Sequence, residues 1–450
     1  MKQRFPTYII NLEKRVDRRL FIESEFSAYP RFDIHIVPAT ENSVPAVGLY
    51  QSLFNIVLQA KEAQLKFVVV CEDDHCFTEY YDDLIFDEYL VRMDRCGADM
   101  LLGGVSWFEQ SVKFTKDLYW VNTFTGTQFL VIFDRFYDRI LNTPFQQNNI
   151  IDRWMAGMSD KIFVTVPMFS LQKDFGYSDV TARNKIPGRV DELFLNTIMR
   201  WKALQEIDLH IKKRRISSTL ISSNDYTEMQ ISTYIVYGND RLYESFQIEK
   251  QFVDRKEFII KNIAYEDDGN ELLCHWKAFQ SVIKSALNDD EDVILICEAD
   301  HIFTKGYDKQ VLFDCIFQAA HLGADIILGG VTQSPQSIMV DDNLCWIDSF
   351  RSSQFILVFR DFFQVLLETS IDETESFDVK LSNLTGNKYV IHPFISSKQE
   401  QGLAKNGVRQ ATNNQDLNEE FESSSSKLSM VRLKTRQFCA ELSVKYNDFL

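Results

Sequence analysis

One register of near-repetition runs through this chain. The segment Cys71-Glu72-Asp73-Asp74-His75-Cys76-Phe77-Thr78 recurs as Cys297-Glu298-Ala299-Asp300-His301-Ile302-Phe303-Thr304, an offset of 226 with six of eight positions identical. The same offset carries Gly97-Ala98-Asp99-Met100-Leu101-Leu102-Gly103-Gly104-Val105 onto Gly323-Ala324-Asp325-Ile326-Ile327-Leu328-Gly329-Gly330-Val331, with seven of nine identical. It also aligns Tyr8 with Tyr234, Trp120 with Trp346, Gln128 with Gln354, Asp152 with Asp378, Pro167 with Pro393 and Gly176 with Gly402. A repeat of this length is a whole domain, not a solenoid unit. Each copy therefore acts as a control for the other. Residues kept in both are expected to serve the fold, and polar residues kept in only one point to chemistry.

At 450 residues the chain has room for two domains of ordinary size. The repeat places them at 1–215 and 229–450, with a linker at 216–228 whose Ser and Asn residues favour turns. A net charge of −17 would repel a nucleic-acid backbone, so nucleic acid is not an expected partner. The basic run Lys212-Lys213-Arg214-Arg215 is short and reads as a solvated helix end, with peripheral contact to a membrane surface as the alternative. Apolar runs such as Phe67-Val68-Val69-Val70 and Val293-Ile294-Leu295-Ile296 are strand-sized, far below a transmembrane span. The N-terminus enters a strand without the apolar stretch of a signal peptide, which leads to the expectation of a cytoplasmic protein. The eight cysteines form no CxxC pair, and buried reduced thiols fit better than disulfides or a zinc site.

In the first copy, strands are expected at Thr7 to Leu12, Phe32 to Val37, Phe67 to Cys71, Asp99 to Leu102 and Gln128 to Phe133. Helices are expected near Leu20 to Ala28 and over Val47 to Lys61, where Leu49, Leu53, Ile56 and Val57 recur at helical spacing. The second copy repeats this plan. Alternating strands and helices define an α/β fold with a mainly parallel sheet in each domain. A helix is expected at Asp191 to Leu209. The tail after Gln410 should begin polar, at Ser423-Ser424-Ser425-Ser426, and end in a helix from Leu428 to Leu442.

Open α/β sheets bind ligands outside the carboxyl ends of their strands. Glu72, Asp73 and Asp74 stand at such an end. Neighbouring carboxylates repel one another unless a cation joins them, and hard oxygen ligands suit Mg²⁺ or Mn²⁺, especially with phosphate present. A solvated turn is the plainer reading of the same three residues. His75 and His301, present in both copies, read as structural hydrogen-bonding groups. Trp154 reads as a core residue that could alternatively stack on a sugar. Gly103-Gly104 reads as a place of close backbone packing.

The first copy, over about its first 180 residues, resembles the family 25 glycosyltransferases, the lipooligosaccharide and collagen galactosyltransferases. The likeness is carried by Tyr8-Ile9-Ile10-Asn11-Leu12 followed by Arg15, Asp17, Arg18 and Arg19, and by the strand ending in Glu72-Asp73-Asp74. It continues in Gly126-Thr127-Gln128-Phe129-Leu130-Val131, Ile151-Asp152 before Arg153-Trp154, and Pro167 followed by Gln172 and Ser178-Asp179. The resemblance implies tandem GT-A-like (Rossmann-like) domains, a UDP-sugar donor, galactose as the sugar, and inversion at the anomeric carbon. The acceptor it implies is a glycan, glycolipid or glycoprotein. By that likeness Glu72, Asp73 and Asp74 hold Mn²⁺ or Mg²⁺ and the donor diphosphate. Asn11, Leu12, Arg15, Arg19, Gly126, Thr127 and Gln172 line the donor pocket. Leu49-Tyr50-Gln51-Ser52 departs from the Ser-His pair of many members, on the acceptor side. Inversion needs a base near the acceptor hydroxyl, for which Asp152 is the first candidate and Asp179 the second.

The second copy keeps the apolar frame and changes much of this set. Asp73 becomes Ala299, Asn11 and Leu12 become Tyr237 and Gly238, and Arg18 and Arg19 face Glu244 and Ser245, with Arg241 within reach of a local gap. Gly126-Thr127 becomes Ser352-Ser353, and Ser178-Asp179 becomes Ala404-Lys405. The first copy is thus expected to catalyse and the second to be degenerate or accessory. Two inactive domains acting as a glycan-binding scaffold, two active domains, and a nucleotidyltransferase are the competing readings. The last lacks a Gly-rich, Lys-bearing phosphate loop.

Overall fold

The computed structural model describes residues 4–177, 186–217, 226–239, 242–266, 269–372, 375–398 and 411–447. The chain divides into two compact units, Met1–Glu206 and Ile207–Leu450.

The first unit opens with β1 (Phe5–Asn11), α1 (Val16–Ser27), β2 (Phe32–Pro38), α2 (Pro45–Glu62), β3 (Phe67–Glu72) and β4 (His75–Phe77). It continues through α3 (Asp83–Arg95), β5 (Met100–Leu102), β6 (Trp107–Phe108), β7 (Ser111–Lys113), β8 (Leu118–Val121) and β9 (Phe124–Thr125). It ends with β10 (Phe129–Phe133), α4 (Asp134–Asn142), α5 (Ile151–Gly157), β11 (Ile162–Thr165), β12 (Ser170–Gln172) and the start of α6 (Arg189–Ser217). The division between units falls inside α6.

The second unit holds β13 (Ile231–Gly238), α7 (Leu242–Phe252), β14 (Phe258–Tyr265), α8 (Glu271–Asn288), β15 (Val293–Glu298) and β16 (His301–Phe303). Then come α9 (Lys309–Leu322), β17 (Ile326–Leu328), β18 (Ser337–Met339), β19 (Leu344–Ile347) and β20 (Phe355–Phe359). It closes with α10 (Arg360–Glu368), α11 (Phe377–Leu384), β21 (Lys388–Ile391), β22 (Ser396–Lys398) and α12 (Ala411–Asn447).

Each unit is built on an eight-stranded mixed sheet flanked by helices, an α/β fold. The orders are β2-β1-β3-β10-β5-β11-β8-β7 and β14-β13-β15-β20-β17-β21-β19-β18, the same path traced twice. In the first sheet β10 and β8 run against the other strands, and β20 and β19 do so in the second. Register repeats as well: Cys71 pairs with Phe129, and Cys297 with Phe355. The central strand β3 is buried from Phe67 to Cys71, as expected of an apolar run covered on both faces. Helix starts repeat too. Asp82 accepts from the backbone N–H groups of Leu84 and Ile85 at α3, and Asp308 accepts from Val311 N–H at α9, each replacing an orphaned turn bond.

Gly104 shows why small residues persist at the strand ends. A Cβ there would lie 2.1 Å from the Ser170 carbonyl oxygen, and one at Gly330 would lie 2.2 Å from that of Ser396. His75 Nδ1 meets Ser170 Oγ at 2.8 Å and His301 Nδ1 meets Ser396 Oγ at 2.7 Å, the structural role expected of both rings. Trp154 is buried, with its indole N–H donating to the Pro144 carbonyl.

Two expectations are corrected. The Ser423 to Ser426 segment lies inside α12, not before a later helix. Phe421, Leu428, Val431 and Phe438 fall on one buried face, and this packing overrides the weak helix preference of serine. In the basic run, Arg214 is not simply solvated: it donates to the Leu322 carbonyl at the end of α9, where a cation complements the helix dipole.

Candidate active site

Parallel pairing of β1 with β3 sets Ile10 opposite Glu72, so both strands end at one edge. Asn11 and Asp73 are therefore neighbours. The chain turns into α1 directly above them, which suspends Arg15 and Arg18 over the same edge. Because β10 runs antiparallel to β3, Gly126 and Thr127 arrive at this edge before it begins. Pairing of β12 with β4 sets Gln172 opposite His75, beside Asp74.

The result is a hydrogen-bonded cluster on Asp73 and Asp74, with a Thr127–Glu72 pair beside it. Asp73 Oδ1 accepts from Arg18 Nη1 at 3.1 Å, with Arg15 Nη1 at 3.7 Å, and its Oδ2 accepts from Asn11 Nδ2 at 2.8 Å. Asp74 Oδ2 accepts from Arg18 Nη1 at 2.7 Å and from Gln172 Nε2 at 2.8 Å. Thr127 Oγ1 donates to Glu72 Oε1. Arg18 Nη2 donates to the Tyr177 carbonyl at 2.7 Å, and its guanidinium lies 4.4 Å from the Tyr177 ring and 4.8 Å from that of Phe175. Asp73 and Asp74 are 3% and 4% exposed, so the acids are not a solvated turn.

Burial dominates the electrostatics. It pushes the Glu72 carboxyl up to about 8, reinforced by Asp74, while the Thr127 hydroxyl works the other way. It pushes Asp74 up to about 6, with Arg18 opposing and Asp73 adding to the rise. Burial acts against the Arg18 charge, but Asp74 and Asp73 outweigh it and hold the group above its ordinary value.

Asp152 lies in the first turn of α5, buried. Its Oδ2 accepts from Gly126 N–H at 3.0 Å, and its Oδ1 from Arg153 N–H at 2.8 Å. Burial raises its affinity for a proton, and these two backbone bonds lower it. Gly126 has φ +115°, a left-handed conformation that favours glycine. Asp378 makes the matching bond in the second unit, accepting from Ser352 N–H at 2.8 Å. The aspartate kept in both copies thus pins the same backbone turn in each.

Of the residues expected at the site, Asn11, Arg15, Glu72, Asp73, Asp74, Thr127 and Gln172 are drawn together, with Gly126 and Asp152 attached through Thr127. Leu12 is half-buried, and its carbonyl accepts from Arg15 N–H. Arg19 is not part of the cluster: it pairs with Glu23 at 3.0 Å on the solvent face. One residue further along a helix is a 100° rotation, and it is Arg18 that turns inward. Asp179, Ser178, Arg241 and Lys405 lie outside the described residues. Arg18 and Tyr177 are site residues that the sequence reading did not assign. The signal for Arg18 was its loss together with Asp73 in the second copy, since removing one partner of a buried ion pair alone is costly.

The second unit places a different cation at the equivalent edge. Lys398, at the position of Gln172, lies 3.3 Å from Glu298 Oε2 and 3.4 Å from Asp300 Oδ2. Ser353 donates to Glu298 Oε1 at 3.2 Å.

Fold and site thus define an α/β protein with a buried, arginine-bound acidic cluster at the carboxyl ends of parallel strands. No protein-family model matches the chain, and no curated protein matches it in sequence. Among solved structures it is similar to UDP-glucose pyrophosphorylase complexed with UDP-glucose, at 8% identity and a TM-score of 0.25, over 36% of this chain and 72% of that one. It is also similar to the bifunctional glycosyltransferase WbbM in its apo form, at 9% identity and a TM-score of 0.22, over 86% of each chain. A third is mannose-1-phosphate geranyltransferase from Thermus thermophilus, at 11% identity and a TM-score of 0.20, over 64% of this chain and 100% of that one. Among the described residues, no helix is long and apolar enough to cross a membrane.

Proposed function

We propose that the first unit is a glycosyltransferase that moves a sugar from a nucleotide-sugar donor to a hydroxyl of a glycan, glycolipid or glycoprotein. The observation that carries this reading is the burial of Asp73 and Asp74 under Arg15 and Arg18, with half-buried Glu72 beside them. Buried ion clusters contribute little to stability compared with apolar packing. Carboxylates with strongly shifted proton affinity at the carboxyl ends of parallel strands are instead a mark of chemistry. The family 25 resemblance makes UDP-galactose the donor to test first and inversion the expected outcome.

A divalent ion, Mn²⁺ or Mg²⁺, fits the donor set when the substrate completes it. Asp74 Oδ1 is buried with no hydrogen-bond partner, and Glu72 carries a charge that burial disfavours. Both Asp73 oxygens are taken by Arg18 and Asn11, which makes Asp73 a positioning residue. Glu72 and Asp74 would hold the ion. Among the described residues no group of three His, Cys, Asp or Glu side chains could cage it alone. That accords with Mg²⁺ sites, which commonly use one or two carboxylates plus substrate phosphates. When bound, the ion neutralises charge growing on the departing diphosphate.

Other parts of the chemistry fall to the chain itself. Arg15, at the mouth of the cluster, offers a guanidinium to the diphosphate. Asp152 is the first candidate for the base that takes the acceptor proton, since burial makes it more basic. Each of its oxygens holds one backbone N–H and keeps a further lone pair. Asp179 is the second candidate.

The test is UDP release from UDP-galactose and other nucleotide sugars, with Mn²⁺ and with EDTA. Turnover is expected with metal only, and Asp74→Asn should lower it by about 10²–10³-fold. A protein that neither turns over nor is thermally stabilised by any nucleotide sugar, while still binding glycans, would be the scaffold instead.

A further inference from the structure

A cavity of about 170 Å³ opens in the second unit beyond the carboxyl ends of β13 and β15. One wall carries Glu298, Asp300 and Asp378, with Lys398 reaching across the first two. The other wall is aromatic. The His275 ring stacks on Phe377 at 4.5 Å and 22°, and on Tyr265 at 5.8 Å and 21°.

We propose that this cleft binds an uncharged saccharide ring and does so without a divalent metal. It is then a second ligand site of different chemistry, not a worn copy of the donor site. Four observations lead there.

First, the role of cation is filled from within the chain. Where the first unit has neutral Gln172, Lys398 neutralises Glu298 and Asp300 directly. Burial pushes Glu298 up, but Lys398 and then His275 outweigh it and hold the carboxyl below its ordinary value, in contrast to Glu72. A metal ion would have to displace the lysine.

Second, the charge balance of the described lining disfavours phosphate. Among the described residues, a diphosphate entering the cleft would face Glu298, Asp300 and Asp378 against Lys398, which is already paired. Sugar hydroxyls, by contrast, can donate to the carboxylates and accept from the ammonium.

Third, Asp73 and the two residues that hydrogen-bond it in the first unit are replaced together, while Arg15, which lies 3.7 Å from it, corresponds to Arg241. Asn11, Arg18 and Asp73 correspond to Tyr237, Glu244 and Ala299. Tyr237 lines the cleft where an amide stood, and the ring wall it joins matches the C–H face of a pyranose.

Fourth, the volume is below the roughly 300–1,000 Å³ of sites that take drug-sized ligands. It suits one sugar ring and not a whole nucleotide sugar.

The experiment uses the full chain in EDTA with methyl glycosides of galactose, glucose, mannose and N-acetylglucosamine. Saturation-transfer NMR identifies a binder, and titration gives its affinity. At least one glycoside is expected to bind. Asp300→Asn and His275→Ala, each checked for an unchanged melting temperature, should weaken it by about tenfold or more. Binding should persist in Asp74→Asn, so this result is separable from any failure of the donor site. The proposal is overturned if no glycoside binds or if binding needs Mn²⁺. It also fails if both cleft variants bind as tightly as the parent. Binding of UDP alone that is abolished by Lys398→Met would make the cleft a nucleotide site and overturn it equally.

Discussion

Arg18 Nη1 lies 2.7 Å from Asp74 Oδ2, both side chains almost entirely out of water. The same nitrogen serves Asp73 at 3.1 Å, so one guanidinium balances two buried carboxylates. Arg18→Met should therefore cost about 3–5 kcal/mol, the penalty of a buried charge without its partner. Adding Asp73→Ala, the residue that the second unit carries here, should recover part of that loss. A denaturant-unfolding cycle of the two changes is expected to show a coupling of at least about 1 kcal/mol. Strict additivity would mean that the pair is not the structural unit described.

The acidic strand end was legible because its signal is local. An uninterrupted, valine-rich apolar run from Phe67 to Cys71 has the length and composition of a covered strand, which puts the residues directly after it at the sheet edge. The α/β plan was legible for the same reason. The partners of the acids were not. Arg18 and Arg19 are both plausible from composition, and their choice depends on a helix phase set by where α1 starts. Lys398 was equally hidden, since its pairing with Glu298 spans a strand-to-strand register that no short window contains. Asp152 lay between these cases. Its counterpart Asp378 suggested a fold role, and both indeed hold the same backbone turn.

Glu72 should reveal a conflict between stability and activity. Its folded proton affinity, pushed up to about 8, lies above the ordinary glutamate value, so the folded state binds more protons across neutral pH. Stability contributed by this group therefore rises as pH falls from 8 towards the ordinary value. Glu72→Gln removes the buried charge and keeps an acceptor for Thr127. It should raise unfolding free energy at pH 8 by about 1 kcal/mol while abolishing donor turnover. A variant less stable than the parent at that pH would contradict the burial argument.

The paired glycines give a matched test of close packing. Gly104→Ala and Gly330→Ala each force a Cβ against a carbonyl oxygen of the neighbouring strand, at 2.1 Å and 2.2 Å before relaxation. Each should destabilise its own unit by about 1–3 kcal/mol, the usual range for overpacking. Gly104→Ala also pushes on β12, which carries Gln172 to Asp74. Donor hydrolysis, which needs no acceptor, should fall in Gly104→Ala beyond what its unfolding explains. Limited proteolysis with a hydrolysis assay separates the two effects.

His301 and His392 contribute to the pH dependence of the second unit. Burial lowers His301 to about 3 and His392 to about 4, with Arg255 and Arg432 respectively adding to the effect. Above the ordinary histidine value near 6.5 both states are neutral and contribute no slope. Between that value and the folded one, the unfolded chain takes a proton that the native fold refuses. Stability then falls with falling pH, by up to about 1.4 kcal/mol per pH unit for each ring. His301→Gln retains a partner for Ser396 Oγ and cannot titrate. Urea unfolding of the second unit at pH 7.5 and 5.5 should show a loss about 1 kcal/mol smaller in this variant than in the parent. An equal loss in both proteins would place the acid sensitivity elsewhere, because His301 would then be protonated equally in the folded and unfolded chain.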